Sequence, residues 1–394
     1  MRCPSVKEML AGAFVAAATL VVLFYGTDEA RSQQPGHFAP LPQTAKAPED
    51  NATSSQKIVL GRVLFWDPIL SGHRDVACAT CHHPRFGYAE NLDVSIGVSG
   101  VGLGSERQFT LGGSIPFVKR NSQPILNTAF NGMDEAGRYD PSRAPMFWDL
   151  RATSLEAQAL EPVKTFEEMR GDAYPEDRAV ASVVARLQGI AEYRSLFAAA
   201  FREDPAVNAA NLGKALASFQ RSLVANNAPF DRYMRGDASA MTGEQIRGMR
   251  RFERVGCINC HNGPMFSDYK PHVLGVPDNQ KLPTSDKGIK DTYAFRTASL
   301  RNLAYTAPYM HSGAFGSLER VLNFYDDVQG RRGERNRNAN LRRDQLDPLL
   351  QRLRGVDDDE GALIAFLNAL NDDSFDKTVP SRVPSGLHPG GSIQ

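Results

Sequence analysis

Apolar residues recur at three- and four-residue intervals along much of the chain and seldom alternate with polar ones. Ser54 to Phe65 carries Ile58, Val59, Val63 and Phe65 at helical spacing, and Asp67-Pro68 ends the run. Ser154 to Leu160 reads as a short helix stopped by Pro162. Arg178 to Phe201 and Asn211 to Asn226 are longer patterns, the second with Leu212, Leu216, Phe219 and Leu223 on one face. Phe230 to Ser239 reads as a passage between two halves. Thr242 then opens a helix, with Gln245 completing a capping box. Leu318 to Tyr325 is helical, and Asp357-Asp358-Asp359-Glu360 opens a last helix through Leu370, acidic residues suiting its N-terminus. Strand signals are few, so the predicted class is mainly α. Gly97 to Gly113 and residues 271–293 read as loops. The first is no phosphate cradle, because no strand enters it and no helix leaves at the required offset.

A length of 394 residues suggests two domains. Lys+Arg 45 balance Asp+Glu 45, so no net field points to nucleic acid or a membrane surface. Arg331 to Arg343 reads as a solvated basic loop. At the N-terminus Arg2 and Lys7 precede an apolar run from Met9 to Tyr25, then Ala30-Arg31-Ser32, the layout of an export signal with a small-x-small cleavage site. If that segment is retained it is an anchor; either way the protein faces the periplasm. The expected organisation is a signal over 1–32, a flexible lead-in over 33–53, two main units over 54–235 and 236–380, and a loose tail over 381–394.

Cysteine usage changes the picture most. Beyond Cys3, every cysteine falls in one of two pentapeptides, Cys78-Ala79-Thr80-Cys81-His82 and Cys257-Ile258-Asn259-Cys260-His261. Cys-x-x-Cys-His is the attachment site of a c-type haem: each sulfur adds to a porphyrin vinyl group and the histidine supplies the proximal iron ligand. A zinc ribbon spaces its cysteine pairs far more closely, and a redox dithiol needs a βαβ setting that the pattern lacks. Two covalent haems follow, with His82 and His261 as iron ligands and each half mainly helical around one haem. Thioether chemistry and export agree, since no disulfide is required.

With both motifs placed, the chain resembles the bacterial di-haem cytochrome c peroxidase family, including its MauG-type branch, over roughly residues 55–370. Arg120-Asn121-Ser122-Gln123-Pro124 with Leu126-Asn127 resembles the family's Arg-Asn element. Phe147-Trp148-Asp149-Leu150-Arg151 resembles Phe-Trp-Asp-Gly-Arg, with Leu150 in place of glycine. Gln158, Pro162 and Glu168-Met169 follow at the family's spacing. Leu300-Arg301-Asn302 and Thr306-Ala307-Pro308-Tyr309-Met310-His311-Ser312-Gly313 complete the series.

The resemblance implies two cytochrome-c-like domains and a set of roles. Glu168 is the acid–base that moves a proton during peroxide cleavage at the first haem; on composition alone it is a solvated helix charge like Glu167. Gln158 and Pro162 line the same pocket. Trp148 relays charge between the haems, or is simply a core aromatic; Trp66 is core. Asn121, Thr306 and Pro308 match an inter-domain calcium site. The family's methionine ligand to the second haem, fourteen residues after the equivalent of His311, is here Tyr325. A phenolate lowers the haem potential, and MauG-type members share this feature; the other reading is that Tyr325 packs and Met310 ligates. Between His83 and the second motif no histidine occurs, so no loop histidine closes the first haem, which implies an open iron in the oxidised protein. His83, next to the proximal ligand, reads as structural.

Three functions share these residues. The first is a periplasmic peroxidase reducing hydrogen peroxide with electrons from a small c-type cytochrome or copper protein through the second haem. The second is a MauG-type oxidase using a high-valent di-haem state to oxidise side chains of a protein substrate in quinone cofactor maturation; Tyr325 favours it, and the lack of a tryptophan beside the second motif weighs against it. The third is a non-catalytic electron-transfer cytochrome, against which Glu168 and the open first haem argue.

Overall fold

The computed structural model describes residues 37–394 apart from 111, 113–114 and 329–336. The signal segment 1–32 lies outside the described residues, as does the start of the basic segment 331–343. Among the described residues no helix is long and apolar enough to cross a membrane.

The fold is mainly helical. In the first half α1 (Ser55–Trp66), α2 (Cys78–Cys81), α3 (Leu155–Gln158) and α4 (Glu161–Lys164) precede the longer α5 (Glu176–Gly189), α6 (Ala191–Ala200) and α7 (Ala209–Ser222). In the second half come α8 (Pro229–Met234), α9 (Gly243–Val255), α10 (Leu318–Asp327) and α11 (Glu360–Asn368). Two antiparallel pairs of two-residue strands complete the set: β1 (Gly100–Val101) with β2 (Gln108–Phe109), and β3 (Pro271–His272) with β4 (Phe295–Arg296).

The expected starts of the helices stand because their caps are local. Ser54 Oγ accepts the Lys57 amide at the head of α1, and Thr242 and Gln245 exchange reciprocal bonds at the head of α9. The single helix expected from Arg178 to Phe201 is instead two. Val183 and Leu187 are buried at one interval of four, Tyr193 and Phe197 at another, and the six-residue step between them matches no helical repeat. Ile190 breaks the helix there with extended backbone. Pro162 does not end a helix but sits in the first turn of α4, where its missing N–H costs nothing.

Each half is built on one helix crossing. A Cβ at Gly61 of α1 would run into the carbonyl oxygen of Ala215 in α7, and one at Gly248 of α9 into that of Ala362 in α11. Glycine at both crossings lets the backbones meet, and the cores grow outward from them. Leu60, Leu64, Phe65, Trp66 and Phe219 belong to the first core, and Phe230, Phe252, Phe266 and Phe366 to the second.

The described part of the lead-in, 37–53, and the tail 381–394 both pack onto the cores, contrary to the flexible lead-in and loose tail expected from composition. Phe38 is buried in the second core, within 6.3 Å of the ring centroids of Phe230, Phe252, Phe266 and Phe366. The tail crosses the other way. Val383 is buried in the first core, Ser385 Oγ donates to Asp67 at 2.6 Å, and Gly390 N–H donates to the Trp66 carbonyl at 2.7 Å. Composition misleads here because one buried aromatic or a few backbone hydrogen bonds suffice to fix a polar strap. The supposed passage 230–239 is likewise structured: Asp231 in α8 is fully buried, paired to Arg301 at 2.8 and 3.0 Å, and accepts the Leu41 amide.

Candidate haem sites

The two Cys-x-x-Cys-His segments are tight turns with the same internal bond. The His82 amide donates to the Cys78 carbonyl and the His261 amide to the Cys257 carbonyl, both at 2.9 Å. Each imidazole then meets a backbone carbonyl through Nδ1, His82 that of Tyr88 at 3.1 Å and His261 that of Phe266 at 2.9 Å. An Nδ1–H donor fixes the tautomer and leaves Nε2 with a free lone pair, the form an iron ligand needs. Burial lowers His82 to about 4 and lowers His261 as well, so both rings are neutral at physiological pH. Burial pushes the Cys78 and Cys257 thiols up to about 12.

Both motifs open onto one cavity of about 700 Å³, lined by Cys78, Cys81, His82, Cys257, Cys260 and His261. The two cysteine pairs do not converge on a tetrahedral metal site. Among the described residues the only cluster of three metal-type donors is Cys260, Asp268 and His272. The donor set therefore fits two separately attached haems: paired sulfurs, a neutral imidazole with its outer nitrogen free, and a shared apolar slot.

Glu168 also lines the cavity. It sits in a wide turn, Phe166–Arg170, in which the Arg170 and Gly171 amides bond carbonyls five residues back, Thr165 and Phe166. Three neighbours hold that turn. Val98 N–H donates to the Glu168 carbonyl at 3.0 Å, Gly72 N–H to the Met169 carbonyl at 2.7 Å, and Gly97 packs so closely that a Cβ would strike the carbonyls of Glu167 and Glu168. Burial raises the Glu168 carboxyl to about 7; Arg151 pulls it partly back, and Glu167 and Glu161 push it up. Gln158 and Pro162 line the same wall, and the buried Gln158 Oε1 has no hydrogen-bond partner.

The remaining motifs meet on a second wall. Trp148 donates its indole N–H to the Asn121 carbonyl at 3.0 Å, and Asn121 donates its own amide to the His311 carbonyl at 2.8 Å. The Trp148 ring lies edge-on to His311 at 6.3 Å, and His311 stacks on Phe295 at 3.6 Å. Arg120 joins Asp149 at 2.6 Å and Asp286 at 2.5 Å. Phe147 and Leu150 both adopt positive φ, 64° and 60°, to turn Trp148 inward, so Leu150 takes the left-handed backbone that a glycine would adopt freely. Asn121, Thr306 and Pro308 all line the cavity, as do Tyr325 and Met310. Burial and the neighbouring Cys260 and Cys257 raise the Tyr325 phenol above its ordinary value.

Two features carried no sequence signal. Glu90 is 1% exposed with no ion pair, and burial raises it to about 7 beside Cys81, Ser95 and Arg107 pulling it partly back. His272 is 8% exposed and held between Asp268 and Asp347. His83 rests against Trp66 with ring centroids 5.5 Å apart, a structural placement.

Comparison with known proteins gives a consistent picture. Residues 55–239 match the family model described as di-haem cytochrome c peroxidase. The chain is 35% identical over 291 residues to methylamine utilization protein MauG of Methylorubrum extorquens, covering 72% of each chain. It is 33% identical over 391 residues to cytochrome-c peroxidase IdrP1 of Pseudomonas sp. (strain SCT), covering 90% of each. Among solved structures, a MauG-like protein associated with microbial copper homeostasis superposes with a TM-score of 0.63 at 26% identity, over 85% of this chain and 95% of that one.

Proposed function

This chain belongs to the di-haem cytochrome c peroxidase family and is an oxidoreductase of the di-haem peroxidase type, and from that premise we propose how its residues divide the work. The family implies two c-type haems. Residues 54–235 hold one through Cys78, Cys81 and His82, and residues 236–380 hold the other through Cys257, Cys260 and His261. When bound, the haems supply the iron redox chemistry, with peroxide cleaved at the first and electrons entering at the second. The protein works in the periplasm on hydrogen peroxide, with a small c-type cytochrome or copper protein as donor.

Glu168 carries this reading. Cleaving peroxide requires a proton to leave one oxygen and reach the other, and a carboxyl balanced near neutrality can make both transfers. Its clamped turn holds it at the cavity wall throughout, and Gln158 offers a polar anchor beside it. Trp148 lies where the two halves meet, with its indole N–H fixed, and serves as the charge relay. Asn121, Thr306 and Pro308 hold calcium at that junction, each able to offer a hard oxygen donor. Tyr325 ligates the second haem. Stopped-flow mixing of the haem-loaded Glu168→Gln variant with peroxide tests the assignment: turnover should collapse with both haems retained, and undiminished turnover sinks it.

One observation favours a second reading, oxidation of protein side chains. Tyr325 lies at the second motif where the peroxidases carry methionine, and a phenolate there stabilises oxidised iron. Steady-state turnover with a reduced cytochrome separates the two: a peroxidase consumes it, a side-chain oxidase does so poorly.

A further inference from the structure

The cluster at the second motif that the roles above leave unused is Asp268–His272–Asp347. His272 Nε2 lies 3.0 Å from Asp268 Oδ2, and His272 Nδ1 lies 2.6 Å from Asp347 Oδ2. A carboxylate accepts and does not donate, so a ring engaged by two of them carries both N–H groups and is an imidazolium. Neither carboxylate can swing away. The other Asp268 oxygen takes the Thr297 hydroxyl at 2.7 Å and the Lys270 amide at 3.0 Å, and the other Asp347 oxygen takes the Leu349 amide at 2.8 Å. The triad is anchored to the attachment loop itself, because the Asp268 amide donates to the Cys260 carbonyl at 2.8 Å. Donor atoms of Cys260, Asp268 and His272 lie within 4.8 Å of one another, and in the loaded protein that thiol is the haem thioether sulfur. His272 and Asp347 face the same cavity as Tyr325.

We infer that His272 is a positioning residue for the second haem, a fixed buried cation that offsets Asp268 and Asp347 at the Cys260 edge and thereby sets that haem's reduction potential. Ferric haem carries one more positive charge than ferrous haem, so nearby anions favour the ferric form and lower the potential. Two carboxylates this close, in a medium poorer in water than bulk solvent, act strongly unless a cation answers them. The hydrogen bond to Asp268 and the bond to Asp347 raise the ring above its ordinary value against the opposing effect of burial; Cys260 adds to this only as a free thiol, so in the loaded protein the two carboxylates hold the cation. The first motif has a different neighbour: Cys81 faces Glu90, a carboxyl without a hydrogen-bonded counter-ion.

The inference rests on Cys257–His261 holding a haem, and the test keeps the two apart. Covalent haem per chain is counted first by mass; a single haem in the wild type overturns the site itself. With two haems present, a redox titration of the second haem follows for His272→Gln and His272→Lys. The Gln variant should titrate at lower potential, with a new pH dependence as Asp268 or Asp347 takes up a proton, and the Lys variant should recover part of the loss. The first haem should not move. An unchanged potential in the Gln variant, or equal shifts in both variants, overturns the proposal. Should His272→Gln not fold, Asp347→Asn keeps the cation and removes one anion; its potential should rise, and no rise overturns the proposal equally.

Discussion

The surroundings of Cys78-x-x-Cys81-His82 and Cys257-x-x-Cys260-His261 share a plan and differ in chemistry. Both histidines give Nδ1–H to a carbonyl five or six residues on, and both motifs follow a helix that crosses a later one at a glycine. What they hold in common suits the attachment of a haem. What differs is around it. The first motif shares its cavity with Glu168 and Gln158, a carboxyl raised by burial and an unpaired amide oxygen. The second has Tyr325, and a salt-bridged imidazolium at its cysteine edge. The two turns are thus built alike, and a few side chains outside them give the two surroundings different chemistry.

The sharpest way to break this contrast is to remove the two carboxyls near the first motif in turn. Both are raised to about 7, yet only Glu168 lines the cavity. Glu168→Gln should lower kcat/KM for peroxide by about 10²–10⁴, whereas Glu90→Gln should stay within a few-fold. Equal losses in steady-state assays would mean that the proton is not confined to the Glu168 wall. The shared plan can be tested next: Gly61→Ala and Gly248→Ala should each cost about 1–3 kcal/mol in denaturant titrations, by forcing the crossing helices apart. A neutral effect at either glycine would show that half to be built differently.

The pH profile sharpens the contrast further. Glu168 must be ionised to take the proton from peroxide, and its carboxyl is raised, so the accepting form is lost as pH falls below about 7. The peroxide rate should therefore climb with pH and level above about 7, by about tenfold per unit on the acid side. That limb should vanish in Glu168→Gln, while His272→Gln should leave it in place. The smallest effect concerns the motif that joins the halves. Leu150 has φ 60°, and Leu150→Gly should raise stability by about 1 kcal/mol, read as a shift in the denaturant midpoint.

The candidate attachment residues stand out in the sequence because haem chemistry demands a fixed short spacing. Glu168, Trp148 and Tyr325 were legible only through ordered resemblance; as isolated residues they are an acidic helix position, an aromatic and a tyrosine. The structure brings them to one cavity, Glu168 by way of a turn closed by Gly97 and Gly72 that no periodicity reveals. The two terminal straps were misread because their apolar residues, Phe38 and Leu41 in one and Val383 and Leu387 in the other, are sparse among polar, proline and glycine positions and show no sustained period. Glu90 and the His272 triad left no trace at all, since nothing in the sequence brings Asp268, His272 and Asp347 together; that needs the strand pair β3–β4 and the segment after it.

The central claim is that the first haem is open for peroxide while the second is closed by a protein ligand, and an EPR spectrum of the fully oxidised protein tests it most directly. Among the described residues, the histidines lining the cavity besides the two proximal ones are His272, tied to two carboxylates, and His311, stacked on Phe295. The account predicts one high-spin ferric signal beside one low-spin signal, with the low-spin signal altered in Tyr325→Phe and the high-spin signal unchanged. Two low-spin signals in the untreated wild type would contradict it, because some residue would then close the first iron until the second is reduced.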